Sequence, residues 1–152
     1  MATIHASAVL AGARAVLIRG RSGAGKSWLA LELIEAARRG NIRFARLIGD
    51  DRVHLEAAGG RLLVRPAPEI AGLVELRGLG ILQQDHESCA VVGLVVDLEA
   101  EDAQRLPEMR ETTIEGIKLP RLPVAPGVPP LPAVLALLAL SSGAAIGTGI
   151  GD

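Results

Sequence analysis

Short apolar runs alternate with glycine and proline clusters along this chain of 152 residues, and only one early stretch reads as a substantial helix. Arg14–Arg19 is an apolar run with basic ends, the pattern of a buried strand. Trp28–Arg39 is a run of good helix formers with its arginines late, and Gly40 provides a stop. Ile42–Ile48 reads as a second strand ending in Gly49-Asp50-Asp51. Val53–Leu55 and Arg61–Val64 flank Ala57-Ala58-Gly59-Gly60, which predicts a hairpin. Pro66 and Pro68 end that unit, and the glycine spacing of Ile70–Leu82 predicts strand and loop, not helix. Ala90–Leu98 is a continuous apolar strand with Asp97 near its end. Thr113–Lys118 and Leu122–Val124 read as short edge strands among prolines. The expectation is a single α/β domain over 1–152, strand-rich with few helices, and with no internal repeat.

The C-terminal stretch has no charge from Pro129 to Ile150 and approaches the length of a membrane span. Pro130 and Pro132 at its start, and Ser141-Ser142-Gly143 and Gly147-Thr148-Gly149 within it, argue instead for a short docking helix at about 133–140. The ordered core is expected over about 3–140, with a flexible tail over 141–152. With one Phe, one Trp and no Tyr, the core must be built from Ala, Val, Leu and Ile. Net charge is −1 and the arginines are spread along the chain, so neither nucleic-acid binding nor electrostatic recruitment to a membrane is expected. No signal peptide is visible at Met1–His5. The single cysteine, Cys89, precedes an apolar run and reads as a buried core thiol. A reducing, cytoplasmic setting fits.

The chemistry concentrates at Gly20-Arg21-Ser22-Gly23-Ala24-Gly25-Lys26-Ser27. This is the pattern G-x-x-x-x-G-K-[ST] between a predicted strand and a predicted helix, the context a phosphate-binding loop requires. Its backbone N–H groups would cradle phosphates, Lys26 would reach the β- and γ-phosphates, and the Ser27 hydroxyl would ligate Mg²⁺. Such a loop needs a second acidic group. Asp97, at the end of an apolar strand, and the Asp50-Asp51 pair are both candidates. Adjacent strand carboxylates point to opposite faces, so one of the pair at most should face the phosphates. Pattern alone leaves the choice open.

Four segments, in order, resemble the catalytic domain of the HPr kinase/phosphorylase family. His5–Leu10 resembles its His-containing segment, with His5 lying 21 residues ahead of Lys26. Gly20–Ser27 matches its phosphate loop, and Leu47–Asp51 resembles its Leu-Val-Ala-Asp-Asp segment. Val74-Glu75-Leu76-Arg77-Gly78-Leu79-Gly80-Ile81-Leu82 is close to the family's own signature and is the most specific match. A shorter match, Gln104–Pro107, resembles the site of a catalytic arginine. The resemblance covers roughly residues 5–128 and is to a short form with the catalytic domain alone.

The resemblance implies a fold of the phosphoenolpyruvate-carboxykinase-like branch of phosphate-loop proteins. It implies phosphorylation of a serine on HPr, the phosphocarrier protein of the sugar phosphotransferase system, from ATP or pyrophosphate. Asp50 would take the serine proton and His5 would set local charge. Arg105 would stabilise the transferred phosphoryl group. Ser27, Glu75 and Asp51 would be the metal ligands. His54 and His86 would have no catalytic role. Ala125 and Val128 stand where the family carries arginines tied to the phosphorylase direction, so that direction is expected to be weak. Full-length relatives form hexamers, which leaves a homo-oligomer open. Two other readings share the loop: a small-molecule kinase, for which no lid segment is visible, and a nucleotide-binding sensor without turnover.

Overall fold

The computed structural model describes residues 1–105 and 108–141. The N-terminal half contains β1 (Ala2–Ile4), β2 (Ser7–Ala11), β3 (Arg14–Arg19), α1 (Lys26–Arg38), β4 (Ala45–Gly49), β5 (Val53–Ala58) and β6 (Arg61–Pro66). A single 3₁₀ turn at Pro68–Ile70 leads to β7 (Leu73–Leu76), β8 (Gly80–Gln83), β9 (Ala90–Asp97), β10 (Arg110–Ile114), β11 (Ile117–Pro123) and α2 (Leu131–Ser141). The strand-rich α/β expectation is met, with two α-helices among the described residues. Of the tail expected over 141–152, Ser141 ends α2 and the rest lies outside the described residues.

The main sheet runs β1-β5-β6-β9-β3-β2-β4, with β11 joining β9 and β10 joining β11. β9 is parallel to β3 and to β11, while β2 is antiparallel to both β3 and β4. The strands β3, β4, β9 and β11 therefore all point their C-terminal ends the same way. That end of an open α/β sheet is where ligand-binding loops collect.

Alternation along these strands builds two cores, one on each face. On β3, Ala15 and Leu17 enter one core while Val16 and Ile18 enter the other. The second core is closed by Leu29, Ala30 and Leu33 of α1 and by Val134 of α2. The first is closed by the sheet's own curl, where Val53, Leu55, Leu62 and Val64 meet Leu119. The hairpin β7–β8 forms a separate two-stranded sheet. Its Val74, Leu76 and Leu82 pack on Leu47 and on Leu31 and Ile34 of α1.

Three expectations need correction. Cys89 is exposed, because β9 begins at Ala90 and the cysteine sits in the connection before it. Thr113–Lys118 is no single strand: Glu115 and Gly116, with φ of +50° and +79°, turn the chain between β10 and β11. Nor is the strand that ends at Pro123 an edge. β11 pairs on both sides, with Leu119 and Leu122 buried.

Leu17→Ala should lower unfolding free energy by about 3 kcal/mol, because it opens a hole in a fully buried core. Leu79→Ala, at a side chain 66% exposed, should change it by less than about 0.5 kcal/mol. Urea denaturation followed by far-UV circular dichroism measures both, and equal losses would contradict this assignment of the core.

Candidate active site

The loop from Gly20 to Gly25 joins the C-terminal end of β3 to the N-terminus of α1. Gly25 caps the helix with φ of +102°, a conformation that costs glycine nothing, and no side chain bonds the first helical N–H groups. Those groups and the positive end of the helix dipole are open to an anion. Lys26 Nζ donates to the carbonyl oxygens of Gly20 at 2.7 Å and Arg21 at 3.1 Å, so the ammonium is folded onto its own loop.

Asp50 follows β4 and is 3% exposed. Ser27 Oγ lies 2.8 Å from each of its carboxylate oxygens, and Ser7 Oγ donates to Oδ1 at 2.5 Å. Gly49, just before Asp50, packs closely against β5 and β6. A Cβ at Gly49 would stand 2.8 Å from Val53 Cγ1. Asp51 adopts φ of +69°, a left-handed conformation that aspartate tolerates, and its side chain is largely exposed. Because the chain has left the strand by this point, the rule of opposite faces does not hold. Both carboxylates line one cavity of about 520 Å³ with Ser22, Lys26, Ser27 and Glu75.

Glu75 stands across that cavity on β7, opposite Ile81 in the cross-strand register. Trp28, Arg77 and Ile81 complete the mouth, and Trp28 is 53% and Ile81 66% exposed. The neighbouring Leu79, equally exposed, carries the apolar rim beyond the cavity lining. His5 is exposed at the bend between β1 and β2. Its segment is tied to the acid turn by the Ala6 N–H, which donates to the Asp51 carbonyl at 3.2 Å. Neither His5 nor Arg105 is among the cavity-lining residues. Arg105 is exposed in the connection from β9 to β10, and the rest of its short match, Leu106 and Pro107, lies outside the described residues.

Asp97 is engaged elsewhere. It accepts from Arg19 Nε at 2.7 Å and Arg19 Nη2 at 2.8 Å, and from Arg121 Nε at 2.5 Å. Burial pushes its pKa up, but the two guanidinium groups outweigh this and hold it below the usual carboxylate range. Arg121 also grips Asp102, whose pKa falls to about 2 chiefly through that hydrogen bond. A carboxylate held by two arginines has little left to offer a metal or a proton, whereas Asp50 meets only hydroxyl groups among the described residues. Ser7 was missed: one serine in an apolar strand carries no signal until the fold sets it opposite Asp50.

Among the described residues no group of three or more His, Cys, Asp or Glu side chains could hold a metal ion unaided. Mg²⁺ does not need one. It takes hard oxygen donors, few from protein and the rest from phosphates and water. The Ser27 hydroxyl with the Asp50, Asp51 and Glu75 carboxylates about one cavity is a donor set of that kind. A larger groove of about 1120 Å³ opens at the opposite end of the sheet, among Arg14, Leu62, Met109, Ile117 and Leu140. It holds no comparable acid, hydroxyl and glycine-loop constellation.

The family described as the HPr Serine kinase C-terminal domain matches residues 1–129. The chain belongs to that family. An HPr kinase/phosphorylase of Limosilactobacillus reuteri is 41% identical over 120 residues, covering 70% of this chain and 35% of the relative. One from Exiguobacterium is 38% identical over 102 residues, or 60% of this chain and 30% of the relative. The chain thus spans about a third of the length of these relatives. A solved structure described as the Hpr(Ser) kinase/phosphatase from Coxiella burnetii superposes with a TM-score of 0.76 at 25% identity, over 97% of this chain and 94% of that one. No helix among the described residues is long and apolar enough to cross a membrane.

Because its folded pKa is lowered, ionised Asp97 contributes stability that is fully present above the unfolded value near pH 4. That contribution is lost as pH falls through the lower folded value. Asp97→Asn should therefore lower unfolding free energy by about 2 kcal/mol at pH 7. The gap from the parent should narrow steadily as pH drops below about 4. Denaturant titrations across pH test this, and a gap that is constant or widens in acid would overturn it.

Proposed function

We propose that this chain is an ATP- and Mg²⁺-dependent protein serine kinase that phosphorylates HPr in the cytoplasm, built on the phosphoenolpyruvate-carboxykinase-like branch of the phosphate-loop fold. One observation carries the reading: a buried carboxylate, Asp50, is hydrogen-bonded to the serine that ends the glycine loop, 2.8 Å away. On this reading a proton acceptor would lie beside the groups that would hold a γ-phosphate. Family membership and the names of the relatives support the same activity.

The residues divide the work. Backbone N–H groups of the loop and the N-terminus of α1 bind the phosphates. Lys26 exchanges its loop carbonyls for phosphate oxygens. Ser27 and Glu75, with Asp51 at the rim, would hold Mg²⁺, which when bound supplies positive charge against the phosphoryl oxygens. Asp50 takes the proton of the acceptor serine as that oxygen bonds to the γ-phosphorus and the bond to the β-phosphate oxygen breaks, leaving ADP. This is general base catalysis with electrostatic stabilisation. His5 sits beside the acid turn and tunes charge at the mouth. Arg105, exposed on the connection from β9 to β10, would stabilise charge on the transferred phosphoryl group.

The apolar rim favours a protein acceptor over a small metabolite. Trp28, Ile81 and Leu79 expose apolar surface around and beyond the cavity, as surfaces for protein partners do. A small-molecule acceptor would be enclosed instead. With Ala125 and Val128 in place of the family's arginines, transfer back to inorganic phosphate should be weak.

Asp50→Asn should retain MgATP binding within a fewfold and lose transfer from labelled ATP to HPr by about 10²- to 10⁴-fold. Asp97→Asn should keep most of the transfer, measured at 25 °C and pH 7. Full transfer by the Asp50 variant would end the base assignment. ATP binding with no transfer by the parent protein would favour the sensor. Phosphorylated HPr incubated with inorganic phosphate should be dephosphorylated far more slowly than HPr is phosphorylated, and equal rates would refute the weakened reverse direction.

A further inference from the structure

Ser7 and Asp50 are the two buried polar residues among those described, at 0% and 3% exposure, and they are bonded to each other. A hydroxyl in an otherwise apolar core needs a partner, and a buried carboxylate needs donors. The topology makes the pair. β2 lies between β3, which feeds the glycine loop, and β4, which ends just before Asp50. The pairing of Ala8 with Gly49 in antiparallel register sets Ser7 opposite Asp50.

We infer that Ser7 is a positioning residue: it holds Asp50 Oδ1 so that Oδ2 is presented to the acceptor hydroxyl. The inference rests on the reading of Asp50 as the base. Ser27 has a single hydroxyl hydrogen to share between the two carboxylate oxygens it approaches. In the proposed reaction Ser27 would turn an oxygen lone pair to the metal, and its one hydrogen can still donate to only one of the two carboxylate oxygens. Ser7 is fully buried and outside the cavity lining, and its hydroxyl hydrogen goes to Asp50. Its bond to Oδ1 therefore persists through loading, fixes the rotation of the carboxylate, and leaves Oδ2 with its lone pairs toward the cavity. Ser7 touches neither phosphate nor acceptor and acts only through Asp50.

Steady-state transfer to HPr tests this with Ser7→Ala, Ser7→Cys and Asp50→Asn, alongside thermal melting of each variant. Ser7→Ala removes the donor. Ser7→Cys fills the space but donates weakly, and it carries the test should the alanine variant fail to fold. The expected result is a fall in kcat of about 10- to 100-fold for Ser7→Ala. The cysteine variant should lie between it and the parent, with KM for MgATP within about twofold throughout. A structural role alone would make kcat and KM drift together in step with the melting temperature. That result, or a folded Ser7 variant with kcat within twofold of the parent, would overturn the inference. The Asp50→Asn control separates the two claims. If it retains transfer, the base assignment has failed. If it abolishes transfer while the Ser7 variants are unaffected, only the role of Ser7 has failed.

Discussion

A carboxylate removed from water is the constraint around which this molecule is arranged. Asp50 is almost fully buried beside two apolar cores, and burying a charge is costly unless hydrogen bonds offset it. The offset comes from two hydroxyl groups on different elements, Ser7 on β2 and Ser27 at the start of α1. To bring them together the sheet seats β2 between β3 and β4, and α1 begins at the end of the glycine loop that follows β3. Each of these features serves the core as well as the site, so the site cannot be loosened without disturbing the packing beneath it.

The same sheet end shows how two aspartates of similar local sequence reach different fates. Asp97 ends β9 as Asp50 follows β4, yet Arg19 and Arg121 close around Asp97 from the flanking strands β3 and β11. Its charge is spent on pinning three parallel strands together. Asp50 meets hydroxyl groups instead of guanidinium groups, and hydroxyls can be redirected when phosphates or a metal enter. The two acids differ here by their partners, not by their position on a strand.

Much of this was legible beforehand for reasons of local physics. The apolar runs at Arg14–Arg19 and Ala90–Asp97, the glycine loop and the Gly59-Gly60 hairpin are short-range signals, and each formed as expected. The resemblance to a known family picked out Asp50 and Glu75, which face one cavity. Cys89 was misplaced because an apolar neighbour does not bury a residue that precedes the strand. The Glu115-Gly116 turn was missed because its flanks read as one extended run. Arg105 matched a short segment whose position depends on a connection, and it stands outside the cavity.

By itself, then, the sequence determined the strand-rich α/β character, the glycine loop between strand and helix, and the membership of a kinase family. The first two follow from periodicity and from backbone freedom at glycine, which act within a few residues, and the third from a resemblance carried by segments spread over residues 5–128. Tertiary structure alone showed that Asp97 is engaged by Arg19 and Arg121, because those arginines come from strands distant in sequence. It alone revealed Ser7, since a lone serine is chemically mute until antiparallel register sets it against a buried charge.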